Sequence, residues 1–285
     1  MGENNRIKGN LATSAIVGYA YKANIVNCQN YASIEAGSQS GGIVGILNNS
    51  VCSNSINYGK ITGTTYVGGI VGGCLSNSLV KKCANNGEIV GTEYIGGIAG
   101  MTKNSRIESS TNLNAIIDNI DCKYIGGITA FSVSSEIIEC YNIGEIVGNE
   151  GIAGIVGWGY NMKINSCYNN AIITGTTKVA GICGIIGIDG EGTQNYIENC
   201  YNSKNISFST IGGAIANYII SGEMLYCKNN YYVENTVNSS NENITIDGVI
   251  LKTSEDLKNS ASILGETFKE DSNNINNGYP ILAWQ

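Results

Sequence analysis

The chain repeats itself about every 27 residues, and a repeat of that length confines the fold to solenoids, propellers or arrays of stacked units. One pass reads Gly68-Gly69-Ile70-Val71-Gly72, then Val80, Cys83, Asn85, Gly87 and Ile89. The next reads Gly96-Gly97-Ile98-Ala99-Gly100, then Ile107, Ser110, Asn112, Asn114 and Ile116. A Cys/Ser column at Cys28, Ser55, Cys83, Ser110, Cys140, Cys167, Cys200 and Cys227 gives steps of 27, 28, 27, 30, 27, 33 and 27 residues. Units in such an array touch only their neighbours, so the length of 285 residues does not count domains in the ordinary way.

Three apolar series run through the repeats. One lies three before the Cys/Ser column (Ile25, Cys52, Val80, Ile107, Ile137, Ile164, Ile197, Met224), and one lies six after it (Ile34, Ile61, Ile89, Ile116, Ile146, Ile173, Ile206, Val233). The third follows the glycine pair: Ile43, Ile70, Ile98, Ile128, Ile155, Ile182 and Ala214, with Ile16 in the opening coil. Short, β-branched stretches bounded by Gly or Asn predict three strands per coil. Stacked about 4.8 Å apart, they predict an all-β, right-handed parallel β-helix (solenoid) of about eight coils. A leucine-rich repeat would need leucine-dominated strands, whereas here Ile dominates and Gly interrupts every return. The repeats are expected over 1–233, and a C-terminal capping segment over 234–285. In that segment Ser254 is the expected N-cap of a short helix, and Phe268, Tyr279 and Trp284 form an apolar plug.

Asn recurs two places after the Cys/Ser column, at Asn30, Asn57, Asn85, Asn112, Asn142, Asn169, Asn202 and Asn229. Stacked coils let each side-chain amide donate to the next, so a structural Asn ladder is expected. The column cysteines Cys140, Cys167, Cys200 and Cys227 are expected to be buried free thiols, because coil spacing exceeds the Cβ separation of a disulfide. The glycine pair recurs at Gly41-Gly42, Gly68-Gly69, Gly96-Gly97, Gly126-Gly127 and Gly212-Gly213, softening to Ala153-Gly154 and Ala180-Gly181. It marks a corner where φ is positive or where a side chain would strike the next coil.

Composition narrows the chemistry. A formal net charge of −7 and only two arginines, Arg6 and Arg106, argue against a nucleic-acid surface. With no His and no C-x-x-C, the chain lacks the usual zinc ligands, and no cofactor is expected. No apolar run approaches the roughly 18 residues that span a bilayer, so no membrane insertion is expected. No secretory signal is legible at Met1-Gly2-Glu3-Asn4-Asn5. A carbohydrate-active β-helix enzyme, a polysaccharide lyase or hydrolase, is the alternative reading. Its carboxylate pair would have to be Glu88 and Glu145, which share a column two coils apart with Ala115 between. Thr64-Thr65, Thr92 and Thr176-Thr177 are too broken for an ice-binding face. Asp189 and Glu191, in the longest coil, are two candidate calcium ligands where six to eight oxygens are needed.

The outward positions hold the candidate ligand contacts. Tyr141, Tyr168 and Tyr201 follow the Cys column in three consecutive coils, and Tyr66, Tyr94 and Tyr124 precede the glycine pair in three others. Either row is expected to form an exposed aromatic strip, with the first preferred.

The segment Tyr66-Val67-Gly68-Gly69-Ile70-Val71-Gly72 … Val80-x-x-Cys83-x-Asn85-x-Gly87-x-Ile89, repeated in register from about Ala12 to Val233, resembles the GLUG motif. That repeat is found in bacterial surface proteins, including the non-catalytic part of some IgA-specific metallopeptidases. The tail Asn276 to Gln285 also looks like the closing segment of such proteins. The resemblance implies an extracellular or cell-surface, non-catalytic module, adhesive or structural, whose partner is a glycan or a host or matrix protein. It carries over no catalytic residues, and the metallopeptidase H-E-x-x-H helix is absent from this sequence.

Overall fold

The structure, a computed structural model, describes residues 5–117, 122–187, 194–219, 224–237, 246–259 and 261–285. The chain winds into a parallel β-solenoid of about eight turns. Each coil contributes five short strands rather than three, as in Ile61–Thr62, Thr65–Gly68, Val71–Leu75, Leu79–Lys81 and Ala84–Asn85. Like strands stack in register: Ile61 pairs with Ile89, Val67 with Ile95, Cys74 with Thr102, Val80 with Ile107 and Asn85 with Asn112. The five sheets, taken here in chain order within a coil, hold 8, 7, 8, 8 and 9 strands among the described residues.

The extra strands arise because the chain bends at residues that do not announce a corner. Tyr66, Tyr94 and Tyr124 bend the second sheet at φ 55°, 57° and 58°. Asn49, Asn104 and Asn161 turn the chain between the third and fourth sheets, and Asn54, Lys82, Ser109, Glu139, Ser166 and Asn199 between the fourth and fifth, all with positive φ. Asn favours this left-handed region, but tyrosine there is uncommon and strained.

Two separate apolar clusters fill the interior. One joins the Ile34 column to the Val67 column across the first and second sheets. The other joins the Ile43, Val44 and Ile25 columns with the buried cysteines other than Cys122 across the third and fourth. Between them, the second glycine of each pair meets the Asn column across the coil. A Cβ added at Gly97 would lie 2.5 Å from Asn112 Cβ and 2.6 Å from Asn112 Cγ, and closer still to the Gly127 carbonyl oxygen of the next coil. Collision, not dihedral freedom, keeps this column glycine: positive-φ glycines occur at Gly151, Gly248, Gly265 and Gly278, none of them in the pair.

The Cys/Ser column accepts hydrogen bonds from the coil before it. Ser55 Oγ accepts from Cys28 N, Ser110 Oγ from Cys83 N, Cys167 Sγ from Cys140 N and Cys200 Sγ from Cys167 N. This shared acceptor role explains why thiol and hydroxyl interchange. A second ladder of this kind runs through Ser50, Ser78, Ser105 and Ser135, which the repeat pattern did not single out.

The last coil departs from the sequence register. Asn230, not Cys227, takes the column place beside Cys200, its Oδ1 accepting from Cys200 N at 3.0 Å. Cys227 instead pairs with Ile197. Asn229 lies outside the ladder, in the left-handed corner column with Asn199, to whose Oδ1 it donates at 3.1 Å. Tyr232 follows Asn202, and Val237 rather than Val233 pairs with Ile206. A step of 27 in the sequence is therefore a step of 30 in space (200 to 230), with the buried Asn230 amide oxygen as the acceptor for that N–H. The glycine pair slips as well. Gly213 pairs with Ala180, so Ala214 takes the second-glycine place in the first coil without a ladder Asn.

After the coils, Val249–Lys252 pairs in parallel with Asn230–Val233. Helix α1 spans Ser254–Lys258, with Thr253 rather than Ser254 as N-cap, its side chain accepting from Asp256 N. A 3₁₀ turn at Ala261–Leu264 and an antiparallel pair, Phe268–Lys269 with Ile281–Leu282, complete the tail.

Candidate functional site

The tail lies along the side of the solenoid, and this decides the fate of the preferred tyrosine row. Tyr141, Tyr168 and Tyr201 stack with ring centroids 4.9 and 5.0 Å apart on the fifth sheet. Tyr168 and Tyr201 are only 1% and 0% exposed, because Leu257, Leu264, Phe268, Tyr279 and Leu282 pack against them. Tyr168 donates to Gln285 Oε1 at 3.0 Å, and Tyr201 donates to the Pro280 carbonyl. Asn276 donates to the Tyr201 hydroxyl at 2.7 Å, and Trp284 Nε1 donates to the Glu139 carbonyl at 3.1 Å. Burial pushes the Tyr168 and Tyr201 phenols well above their ordinary value. The row is a docking strip for the chain's own tail, and the plug aromatics cover a flank rather than an open end. Nothing in the repeat pattern reports a contact between residues 79 positions apart.

The second row remains at the surface. Tyr66, Tyr94 and Tyr124 are half-buried and stack at 4.8 and 4.9 Å. Rings stacked along the axis spend their faces on one another, so the row shows edges and hydroxyls to solvent. Burial, then Glu93, raises the pKa of Tyr66 and Tyr94, so both stay protonated at neutral pH.

Beside this row runs a column that the sequence reading missed. Tyr19, Ile46, Gly73, Met101, Phe131, Trp158 and Ile185 face outward on the third sheet, paired coil by coil. The signal was present: each lies three after a residue of the Ile16–Ile182 series. Trp158 lies 5.2 Å from Tyr124 and 4.9 Å from Phe131, tilted to both, and Phe131 lies 5.7 Å from Tyr94. The result is one half-exposed aromatic surface across three to four coils. Its charged edge carries Lys123 and Lys178, which hold Glu150 at 3.5 and 2.6 Å.

The Asn column is interior. Asn30, Asn57, Asn85, Asn112, Asn142, Asn169 and Asn202 form a chain of Nδ2-to-Oδ1 hydrogen bonds, each 2.8–2.9 Å. Each Nδ2 also donates to the carbonyl two residues on, as Asn85 does to Gly87 and Asn142 to Gly144. All ten cysteines are free. Cys140, Cys167 and Cys200 are fully buried, and Cys227 is half-exposed.

Among the described residues, no group of three His, Cys, Asp or Glu side chains could hold a metal. Asp189 and Glu191 lie outside the described residues. Glu88 is paired to Lys60 at 3.0 Å, and Glu145 is exposed two coils away, about 10 Å along the axis. That separation is at or beyond the upper limit for a hydrolytic carboxylate pair. No helix among the described residues is long and apolar enough to cross a membrane.

No family model matches the chain, and no curated protein matches it. A solved structure from Bacteroides ovatus, described as a candidate immunoglobulin A1 protease, is similar with a TM-score of 0.48 and 20% identity. The match covers 92% of this chain and 75% of that one. A likeness of that degree says nothing about activity or ligand.

Proposed function

We propose that this chain is a non-catalytic, extracellular surface module of a bacterium, adhesive or structural, that binds a host or matrix protein or a glycan along one long face. The contact face is the aromatic surface of the second and third sheets. The observation that carries the reading is the cluster of Tyr94, Tyr124, Phe131 and Trp158, half-exposed on a rigid, regularly spaced scaffold. Tyr, Trp, Phe and Met are the residues that interfaces concentrate, and a solenoid offers extended faces to partners. Contiguous apolar surface left at the exterior of a soluble fold marks an interaction site. The rings spend their faces on one another rather than offering a free flat wall, which favours a protein partner over a glycan.

The test compares wild type with a Phe131→Ser/Trp158→Ser variant on an array of matrix proteins and glycans. Loss of a specific signal, with an unchanged circular dichroism spectrum, supports the face. An unchanged signal moves the site elsewhere. Turnover of any polysaccharide or protein by the purified chain overturns the non-catalytic reading.

A further inference from the structure

The outward column of the fifth sheet changes size abruptly. Tyr231, Tyr201, Tyr168 and Tyr141 are followed by Thr111, Ala84 and Ile56. The tail covers the tyrosines as far as Tyr141. Its penultimate residue, Trp284, leans on Tyr141 with centroids 5.7 Å apart, and its indole N–H is fixed on the Glu139 carbonyl. The step from tyrosine to threonine and alanine leaves a cavity of about 250 Å³, lined by Lys82, Cys83, Ala84, Ser109, Thr111 and Trp284.

We propose that this cavity is a binding subsite for one neutral pyranose residue, a site separate from the aromatic face of the second and third sheets. Four observations point there. Its volume is below the range of drug-sized sites and fits a single ring. Trp284 supplies a flat aromatic wall held in place by its own hydrogen bond, and the C–H face of a pyranose packs on such a wall. Thr111 is 6% exposed, and its Oγ1 has no hydrogen-bond partner of normal geometry. Burial raises the neighbouring Tyr141 phenol, and the Thr111 side chain beside it acts in the opposite direction. Buried unpaired hydroxyls are uncommon and call for a partner.

The fourth observation is charge. Lys82 makes no ion pair among the described residues. Ser109, which lines the cavity, donates through Oγ to the Glu139 carboxylate at 3.4 Å. A cationic donor and an anionic acceptor on one rim suit sugar hydroxyls, which both give and take hydrogen bonds. Lys82 is exposed, so water screens its pull on an anion, whereas the Glu139 carboxylate beside the buried Ser109 hydroxyl repels a sulfated or carboxylated sugar.

The test uses the full chain with Trp158→Phe, so that fluorescence reports Trp284, titrated with methyl glucoside, methyl galactoside, methyl mannoside and methyl glucuronide. A ligand of one ring is expected to bind with a Kd on the order of 1–10 mM. Saturable quenching by one neutral pyranoside, at least about tenfold weaker for the glucuronide, is the expected result. Ala84→Leu fills the cavity from the solenoid side, changes no tail residue, and is expected to abolish the quenching while the melting curve stays unchanged. Thr111→Val is expected to weaken it by about tenfold or more. Saturable binding that survives Ala84→Leu overturns the site, as does the absence of quenching by every neutral sugar. Tighter binding of the glucuronide overturns the sugar class. None of these outcomes depends on the protein-binding face, whose Phe131→Ser/Trp158→Ser variant is expected to keep the sugar response in nuclear magnetic resonance saturation transfer.

Discussion

Replacing Asn142 by alanine removes three buried hydrogen bonds from the middle of the solenoid. Asn142 Oδ1 accepts from Asn112 at 2.8 Å, and its Nδ2 donates to Asn169 Oδ1 and the Gly144 carbonyl at 2.9 Å each. Asn112 keeps a second acceptor, the Asn114 carbonyl at 2.8 Å. The Gly144 carbonyl and Asn169 Oδ1 both lose the donor that Asn142 supplied. A buried group stripped of its partner costs about 1–3 kcal/mol, so the loss sums to about 3–5 kcal/mol. Asn30→Ala removes the donor to Asn57 and the reciprocal bonds with Ala32, but Asn30 ends the ladder, its bonds with Ala32 are only part-buried, and Asn57 Oδ1 keeps the Gly59 N–H. Its expected cost is about 1 kcal/mol. Urea unfolding followed by far-ultraviolet circular dichroism measures both, and hydrogen exchange locates the loss. Equal losses within about 0.5 kcal/mol would refute the reasoning, because the middle amides would then contribute no more than an end one.

Gly97→Ala should destabilise beyond the usual 1–3 kcal/mol of overpacking, since the added carbon meets the ladder and the next coil's backbone; Gly73→Ala, whose nearest neighbour would be 3.8 Å away, should be neutral or slightly stabilising in the same denaturation assay. Thiol labelling of the native chain should be confined to the half-exposed Cys28 and Cys227, with all ten groups reacting after unfolding. Burial supports this by raising the Cys74 thiol to about 12 and the Cys140 and Cys167 thiols well above their usual value, so early labelling of Cys140 would count against the register. Glu150 is held below the ordinary carboxylate range, first by its hydrogen bond from Lys178 and then by the charges of Lys178 and Lys123. Its contribution is therefore present above the unfolded pKa of about 4.3 and lost as pH falls through the lower folded value; Glu150→Gln should flatten the melting temperature across that acid limb, by a small amount because the pair is partly exposed.

The period, the three apolar columns and the second glycine of each pair were legible in the sequence for all but the last coil, because each coil repeats one local problem. A residue such as Ile89 pairs with its counterparts Ile61 and Ile116 in the neighbouring coils, so a linear spacing becomes a spatial column directly. The corners were less legible: Tyr94 and Lys82 adopt left-handed backbone although neither residue type signals it. The outward column of Met101, Phe131 and Trp158 was readable in principle, but its members share no residue type, and shared type is what draws the eye to a repeat. The last coil misled outright, because Cys227 keeps the sequence step while Asn230 makes the hydrogen bond.

The sequence alone therefore determined the solenoid, its period and the Asn and Cys/Ser ladders of all but the last coil, all of which follow from contacts between neighbouring coils. Only the tertiary structure decided which faces stay open. The tail returns across the fifth sheet through contacts such as Tyr201 with Pro280 and Trp284 with Glu139, and seals one tyrosine row while leaving the other at the surface. Both rows are written in the same residue type and nearly the same spacing. They differ in whether a segment distant in sequence covers them, and no periodicity encodes that.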